Sequence, residues 1–272
     1  MKNIIRLTLL LSIVLLLAAC GGGDKEKVKV GISGTDTSTW DFIAEKAKQE
    51  GIEIEIISFN DYVQPNTALA EGEIDINAFQ TVAYFDEFIK ERDLDLVPIG
   101  TTYLAPMGVY SNKIDSLDDL EEGDTVAVPN DVSNQGRALM LLEKAGVIKL
   151  VDNYDGLGSI EEAVVENPKN VKLHPIAPAQ IPRSLDDVAA GVINNGIARD
   201  AGLDIQKESI FLEDETATEY VNIIATRAED KDNETYKKLV ELAQDEETSD
   251  FIEEQYDGAL IPTHLPLSDI GW

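Results

Sequence analysis

The chain has 272 residues, 43 % of them hydrophobic and 27 % charged, enough to bury the core of one or two globular domains. Its 52 Asp and Glu against 22 Lys and Arg leave a net charge of −30, which argues against a phosphate-backbone partner, because that requires clustered cations. One Cys excludes an intrachain disulfide framework or a thiolate cluster. His174 and His264 are too few for a His-rich site, so no metal and no cofactor is expected.

Residues 1–19 read as a signal peptide: Lys2 and Arg6 precede an apolar run, Leu7 to Ala19, that is short for a membrane span. The run ends Leu17-Ala18-Ala19-Cys20. Small residues before a lone Cys resemble the bacterial lipobox, which implies that Cys20 carries the lipid and that cleavage falls before it. An ordinary signal peptide with an incidental Cys is the alternative. Residues 20–27, glycine-rich and charged, read as a flexible tether.

Val28 to Ile32 alternates as a strand, and Trp40, Ile43, Ala44 and Ala47 mark a helix closed by Gly51. Ile52, Ile54 and Ile56 alternate again. A short helix near Thr67–Glu71 stops at Gly72, a strand follows at Ile74–Ala78, and Val82, Phe85 and Ile89 outline another helix. This order predicts βαβ units and a mainly parallel sheet. A second set follows Tyr110: a capped turn at Ser116–Leu120, a strand at Thr125–Val128, and a helix from about Ser133 to Ala145, closed by Gly146. Strands are expected at Val171–His174, Ala190–Ile193 and Tyr220–Ala225. Helices follow near Asn233–Ala243 and Thr248–Tyr256. The economical arrangement is two α/β lobes with the chain passing between them twice.

The strongest local signal is the segment Val128 to Arg137, read as strand, loop and helix start with Arg137 in the first turn. A cation beside the positive end of a helix concentrates potential that suits an anion such as a carboxylate. Pairing of Arg137 with a surface acid is equally open. Tyr62, Phe79, Tyr84 and Tyr103 fall at or just past strand ends, where ligands collect in open α/β sheets, and could wall an apolar slot or simply pack the core. Asn194 ends a strand beside Asn195, and Asn222 sits within an apolar one. Their amides suit a zwitterion or serve structure alone. Gly156-Leu157-Gly158 lacks the spacing of a nucleotide fingerprint, and Asp230 to Glu234 lacks that of a calcium loop.

Taken together, Phe59 to Asn66, Asp75 to Gln80, Val126 to Asp131, Gln180 to Asp187, Val192 to Asn194, Tyr220 to Asn222 and Gly271-Trp272 resemble the NlpA/MetQ family of methionine-binding lipoproteins. These are substrate-binding components of ABC importers, and the resemblance covers essentially the whole mature chain. It implies an α/β, two-lobed, periplasmic-binding-protein-like fold of type II with the ligand cleft between lobes. Lobe 1 would comprise 28–107 and 217–272, and lobe 2 would comprise 108–216. By matched position Arg137 would hold the ligand carboxylate, Asn194 and Asn222 the head group, and Tyr62, Phe79 and Tyr84 the side chain, with Tyr103 and Asn134 beside them. Thr81 departs from the family, many members of which carry His there, so a methionine-containing dipeptide or another apolar amino acid stays open beside L-methionine.

The implied product is a monomer anchored at the extracytoplasmic face of the membrane, working with an ABC permease and its ATPase, and binding no nucleic acid. It would catalyse nothing. The contrasting readings are an enzyme on the same fold, with an acid or base among Asp61, Asp131 and Tyr84, and an adhesin or scaffold lipoprotein.

Overall fold

The structure, a computed structural model, describes residues 26–214 and 217–272; the signal peptide, Cys20 and the tether as far as Lys25 lie outside the described residues. The first strand is Glu26–Ser33, so Glu26 and Lys27 belong to the sheet and not to the tether. They pair in parallel with Ile52 and Glu53, and a Lys27–Glu55 ion pair at 2.9 Å spans the same two strands.

Two five-stranded sheets form the two lobes. The first runs Ile52–Phe59, Glu26–Ser33, Ile76–Thr81, Asn222–Arg227, Leu96–Thr101. The second runs Lys172–Ile176, Thr125–Pro129, Ala190–Ile193, Gly108–Tyr110, Ser209–Leu212. The expectation of mainly parallel sheets is corrected, because each contains two parallel and two antiparallel pairings. The cause is the same in both. Asn222–Arg227 follows the return from the second lobe and runs against both its neighbours, and Gly108–Tyr110 follows the outward passage and does likewise.

Each sheet is covered on both faces, the layered arrangement that buries parallel strands. Val28, Val30 and Ile32 pack with Trp40 and Ile43 of the helix Ser38–Gln49 and with Leu239 of Glu234–Ala243. On the opposite face Leu69 and Phe85, from Gln64–Ala70 and Val82–Arg92, meet Ile223 and Ala225. In the second lobe Leu139 and Leu142 cover Val126, Val128 and Val192, while Ile181, Leu185 and Ala198 cover Ala127 and Ile193.

Local chemistry moves several boundaries. The helix Gln64–Ala70 begins earlier than its apolar residues suggest, because Pro65 suits a first turn and the Asp61 carboxylate accepts the Val63 and Gln64 N–H groups, each at 2.8 Å. The helix Val132–Lys144 is capped by Asp131, whose Oδ1 accepts the Asn134 N–H at 2.9 Å. Arg137 therefore lies in the second turn, not the first. Tyr220 closes a 3-10 turn, so Asn222 opens its strand.

Gly136 sets the depth of this helix in its lobe. A Cβ there would lie 1.8 Å from the Gly156 carbonyl oxygen, so the Gly156-Leu157-Gly158 turn seats directly on the helix backbone. Gly136→Ala forces backbone apart one residue from Arg137 and is expected to cost about 1–3 kcal/mol, the usual penalty of overpacking. Urea denaturation measures this, and an unchanged midpoint would show that the turn yields freely.

Candidate functional site

The cavity between the lobes is lined by all eight residues that the sequence offered for ligand binding: Tyr62, Phe79, Tyr84, Tyr103, Asn134, Arg137, Asn194 and Asn222. They converge because strands of both sheets end there. Phe79 lies on Ile76–Thr81, Tyr62 follows Ile52–Phe59, and Asn194 caps the helix that follows Ala190–Ile193.

Tyr62, Phe79 and Tyr84 form a three-ring wall with centroids 5.9–6.3 Å apart, two of the three pairs edge-on. The Tyr84 hydroxyl donates to the Tyr62 carbonyl at 2.9 Å, tying the loop to the helix. Burial pushes the Tyr62, Tyr84 and Tyr103 phenols well above their ordinary range, so they present neutral apolar faces. Thr81 caps this helix, its hydroxyl accepting the Tyr84 N–H at 3.2 Å, and also lines the cavity. Beneath the wall, Asn66, Asn77 and Gln80 are buried and joined by amide hydrogen bonds of 2.6–3.0 Å, which fix the floor.

Arg137 is not a bare cation at a helix end. Its side chain is 4 % exposed and grips Glu213, 10 % exposed, through two guanidinium nitrogens, Nε to Oε1 at 2.9 Å and Nη2 to Oε2. Nη2 also donates to the Ala105 carbonyl at 3.0 Å, and the Tyr220 ring stacks 4.4 Å from Cζ. Glu213 went unrecognised in the sequence. A buried arginine demands an acid, but nothing local distinguishes this one among 52.

Asn194 and Asn134 are buried and linked, Asn194 Nδ2 donating to Asn134 Oδ1 at 2.7 Å. Asn194 Oδ1 is buried without a hydrogen-bond partner among the described residues, and so is Oδ1 of neighbouring Asn195. Asn195 Nδ2 donates across the lobes to the Ala259 carbonyl at 2.7 Å.

A second cation, Arg199, was also missed. It pairs with Asp36 of the other lobe, lies 4.3 Å from the Tyr256 ring, and is pushed below the ordinary guanidinium value by burial. Next to it, Asp200 accepts the Thr35 N–H at 3.1 Å and the Thr35 hydroxyl at 2.9 Å. Gly34, with φ +95°, lets that carboxylate approach; a Cβ there would lie 2.4 Å from Asp200 Oδ2. These contacts latch the lobes across the mouth. Of the acids considered for catalysis, Asp61 and Asp131 cap helices and only Tyr84 lines the cavity.

Glu213→Ala would leave a buried guanidinium without its carboxylate, and a loss of about 3–5 kcal/mol of stability is expected. Chemical denaturation reads it directly; a change below 1 kcal/mol, about the value of an exposed pair, would mean that solvent compensates Arg137.

The family model described as NlpA lipoprotein matches residues 28–264. The D-methionine-binding lipoprotein MetQ of Salmonella typhimurium is 44 % identical over 253 residues, 91 % of this chain and 93 % of that protein. Among solved structures, a nutrient-binding protein from Burkholderia cenocepacia bound to methionine superposes with a TM-score of 0.83 at 44 % identity, covering 87 % of this chain and 99 % of that one. Protein PG110 from Staphylococcus aureus gives a TM-score of 0.86 at 40 % identity, covering 89 % and 96 %. With its two layered lobes and the family model spanning nearly all of the described chain, this protein belongs to the NlpA lipoprotein family.

Proposed function

We propose that the chain is the substrate-binding component of an ABC importer, capturing L-methionine by lobe closure and delivering it to a membrane permease and its ATPase. The observation that carries the reading is one cavity lined by a buried arginine, by an asparagine whose buried Oδ1 has no partner among the described residues, and by a wall of three aromatic rings. Arg137 takes the carboxylate, Asn194 and Asn222 the head group, and Tyr62, Phe79 and Tyr84 the thioether, with Tyr103 and Asn134 completing the walls. Sulfur against ring edges is favourable, and neutral phenols do not repel it.

Among the described residues, the charged groups lining the cavity are Asp36, Asp200, Arg137 and Arg199, two of each sign in a chain of net charge −30. A balanced wall suits a zwitterion better than an anion. Relatives named for methionine support the ligand class. The two sheets support lobes comprising 28–107 with 217–272, and 108–216. Closure brings Asp36 to Arg199 and Thr35 to Asp200, and the desolvated ligand exchanges water for Arg137 and the amides. The lipobox resemblance at Cys20 and the family's lipoprotein character support tethering by lipid at the extracytoplasmic face.

Isothermal calorimetry tests the ligand. L-methionine is expected to bind one to one and tighter than its D-enantiomer or a glycyl-methionine dipeptide. Arg137→Ala should weaken it by about 2–5 kcal/mol, the cost of truncating one partner of a buried charge pair. No heat at millimolar L-methionine would overturn the assignment, and tighter dipeptide binding would transfer it to the dipeptide.

A further inference from the structure

We propose that Asp131 sets the polarity of an amide relay, Asp131–Asn134–Asn194, which obliges Asn194 to present its carbonyl oxygen to the cleft and so selects ligands bearing an ammonium group. The inference deepens the amino-acid reading above and rests on it for the ligand.

The orientation of a buried amide follows from what its neighbours can donate or accept. Here the order of donors and acceptors starts from a backbone N–H. Asp131 Oδ1 accepts the backbone N–H of Asn134 at 2.9 Å, and a backbone N–H can only donate. That oxygen is therefore an acceptor whatever the protonation of the carboxyl, since a proton would sit on Oδ2, which has no protein partner among the described residues. The same Oδ1 faces the Asn134 side chain at 2.9 Å, so Asn134 must turn its NH2 toward it. Asn134 Oδ1 then faces Asn194 and accepts its NH2 at 2.7 Å. With its NH2 turned to Asn134, the carbonyl oxygen of Asn194 is on the opposite side of the amide, toward the cleft. Reversing either amide would set donor against donor or oxygen against oxygen where both residues are more than nine-tenths buried.

All three residues lie in the second lobe, at the start of Val132–Lys144 and the end of Ala190–Ile193, so the polarity is set within one lobe. The cleft end of the relay is a buried acceptor with no protein donor among the described residues, on a side chain that lines the same cavity as Arg137. An α-ammonium supplies that donor, and a ligand lacking it leaves the oxygen buried and unpaired. Asp131 is a positioning residue, acting through Asn134.

Two substitutions separate polarity from charge and from capping. Ser and Asn both cap helices nearly as well as Asp. Asp131→Asn keeps an acceptor oxygen on the Asn134 N–H and retains the relay without the charge. Asp131→Ser keeps the cap but is too short to reach the Asn134 side chain as well, freeing both amides to turn. The readout is the affinity for L-methionine relative to its des-amino analogue. Asp131→Ser is expected to lose about tenfold of the wild-type preference, the value of one charge-assisted hydrogen bond, while Asp131→Asn stays within about threefold. Equal losses in both variants, or none in Asp131→Ser, would overturn the relay. Neutron diffraction from the ligand-free wild-type protein supplies a readout independent of methionine. Deuterons on the Asn194 atom facing Asn134 support the relay, and deuterons on its cleft-facing atom overturn it. A wild-type protein that binds no methionine but shows the first pattern would retain the relay and lose only the ligand assignment.

Discussion

The buried pairing of Arg137 with Glu213 is the constraint around which the molecule is arranged. Glu213 stands where the chain leaves the second lobe, and its Oε2 also accepts the Met107 N–H at 3.1 Å. Its own N–H donates to the Met107 carbonyl at 2.9 Å, and Met107 lies on the outward passage between lobes. One ion pair thus joins the helix bearing the cleft arginine to both passages of the chain. A buried pair of this kind is weak as a source of net stability, but losing either half is costly, so it fixes geometry more than it adds energy. The ion pair lies where the chain passes between the lobes, while Thr35, Asp36, Arg199 and Asp200 join the lobes at the mouth.

Burial of the site follows from the sheets. Strands covered on both faces place their side chains in core, so chemistry is left to their ends and the turns beyond them. Tyr62, Thr81, Asp131 and Asn194 all occupy such positions; Thr81 and Asp131 also cap the helices that follow them, and Asp61 beside Tyr62 does the same for Gln64–Ala70. The segments that build the cleft are thereby the same ones that stop strands and begin helices. Substitutions there disturb fold and site together, and capping residues such as Thr81 carry two roles.

Much of this was legible in the sequence, because the elements that matter are long, periodic and punctuated. Gly51 and Gly146 mark helix ends at φ of +84° and +76°, and Ala190–Ile193 is an apolar run that is a buried strand throughout. The aromatic wall and the amides were legible by their place past strand ends. What escaped had no local signature. Gly108–Tyr110 is three residues long, too short for alternation, and its antiparallel pairing depends on where the chain re-enters the sheet. Glu213 and Asp36 are single acids among many, chosen by arginines 76 and 163 positions away in sequence. For Arg137 the helix-end argument is incomplete: its helix starts earlier than expected, and its nearest charge is the Glu213 carboxylate.

The central claim is that the two lobes close on an amino-acid zwitterion read at both ends by groups already in place. A crystal structure of the protein grown with L-methionine tests this most directly. The account predicts the carboxylate hydrogen-bonded to Arg137 with the Glu213 pair intact, the ammonium on Asn194 Oδ1, and the sulfur between Tyr62, Phe79 and Tyr84. A ligand bound in the opposite sense, or an Arg137 that leaves Glu213 to reach it, would contradict it.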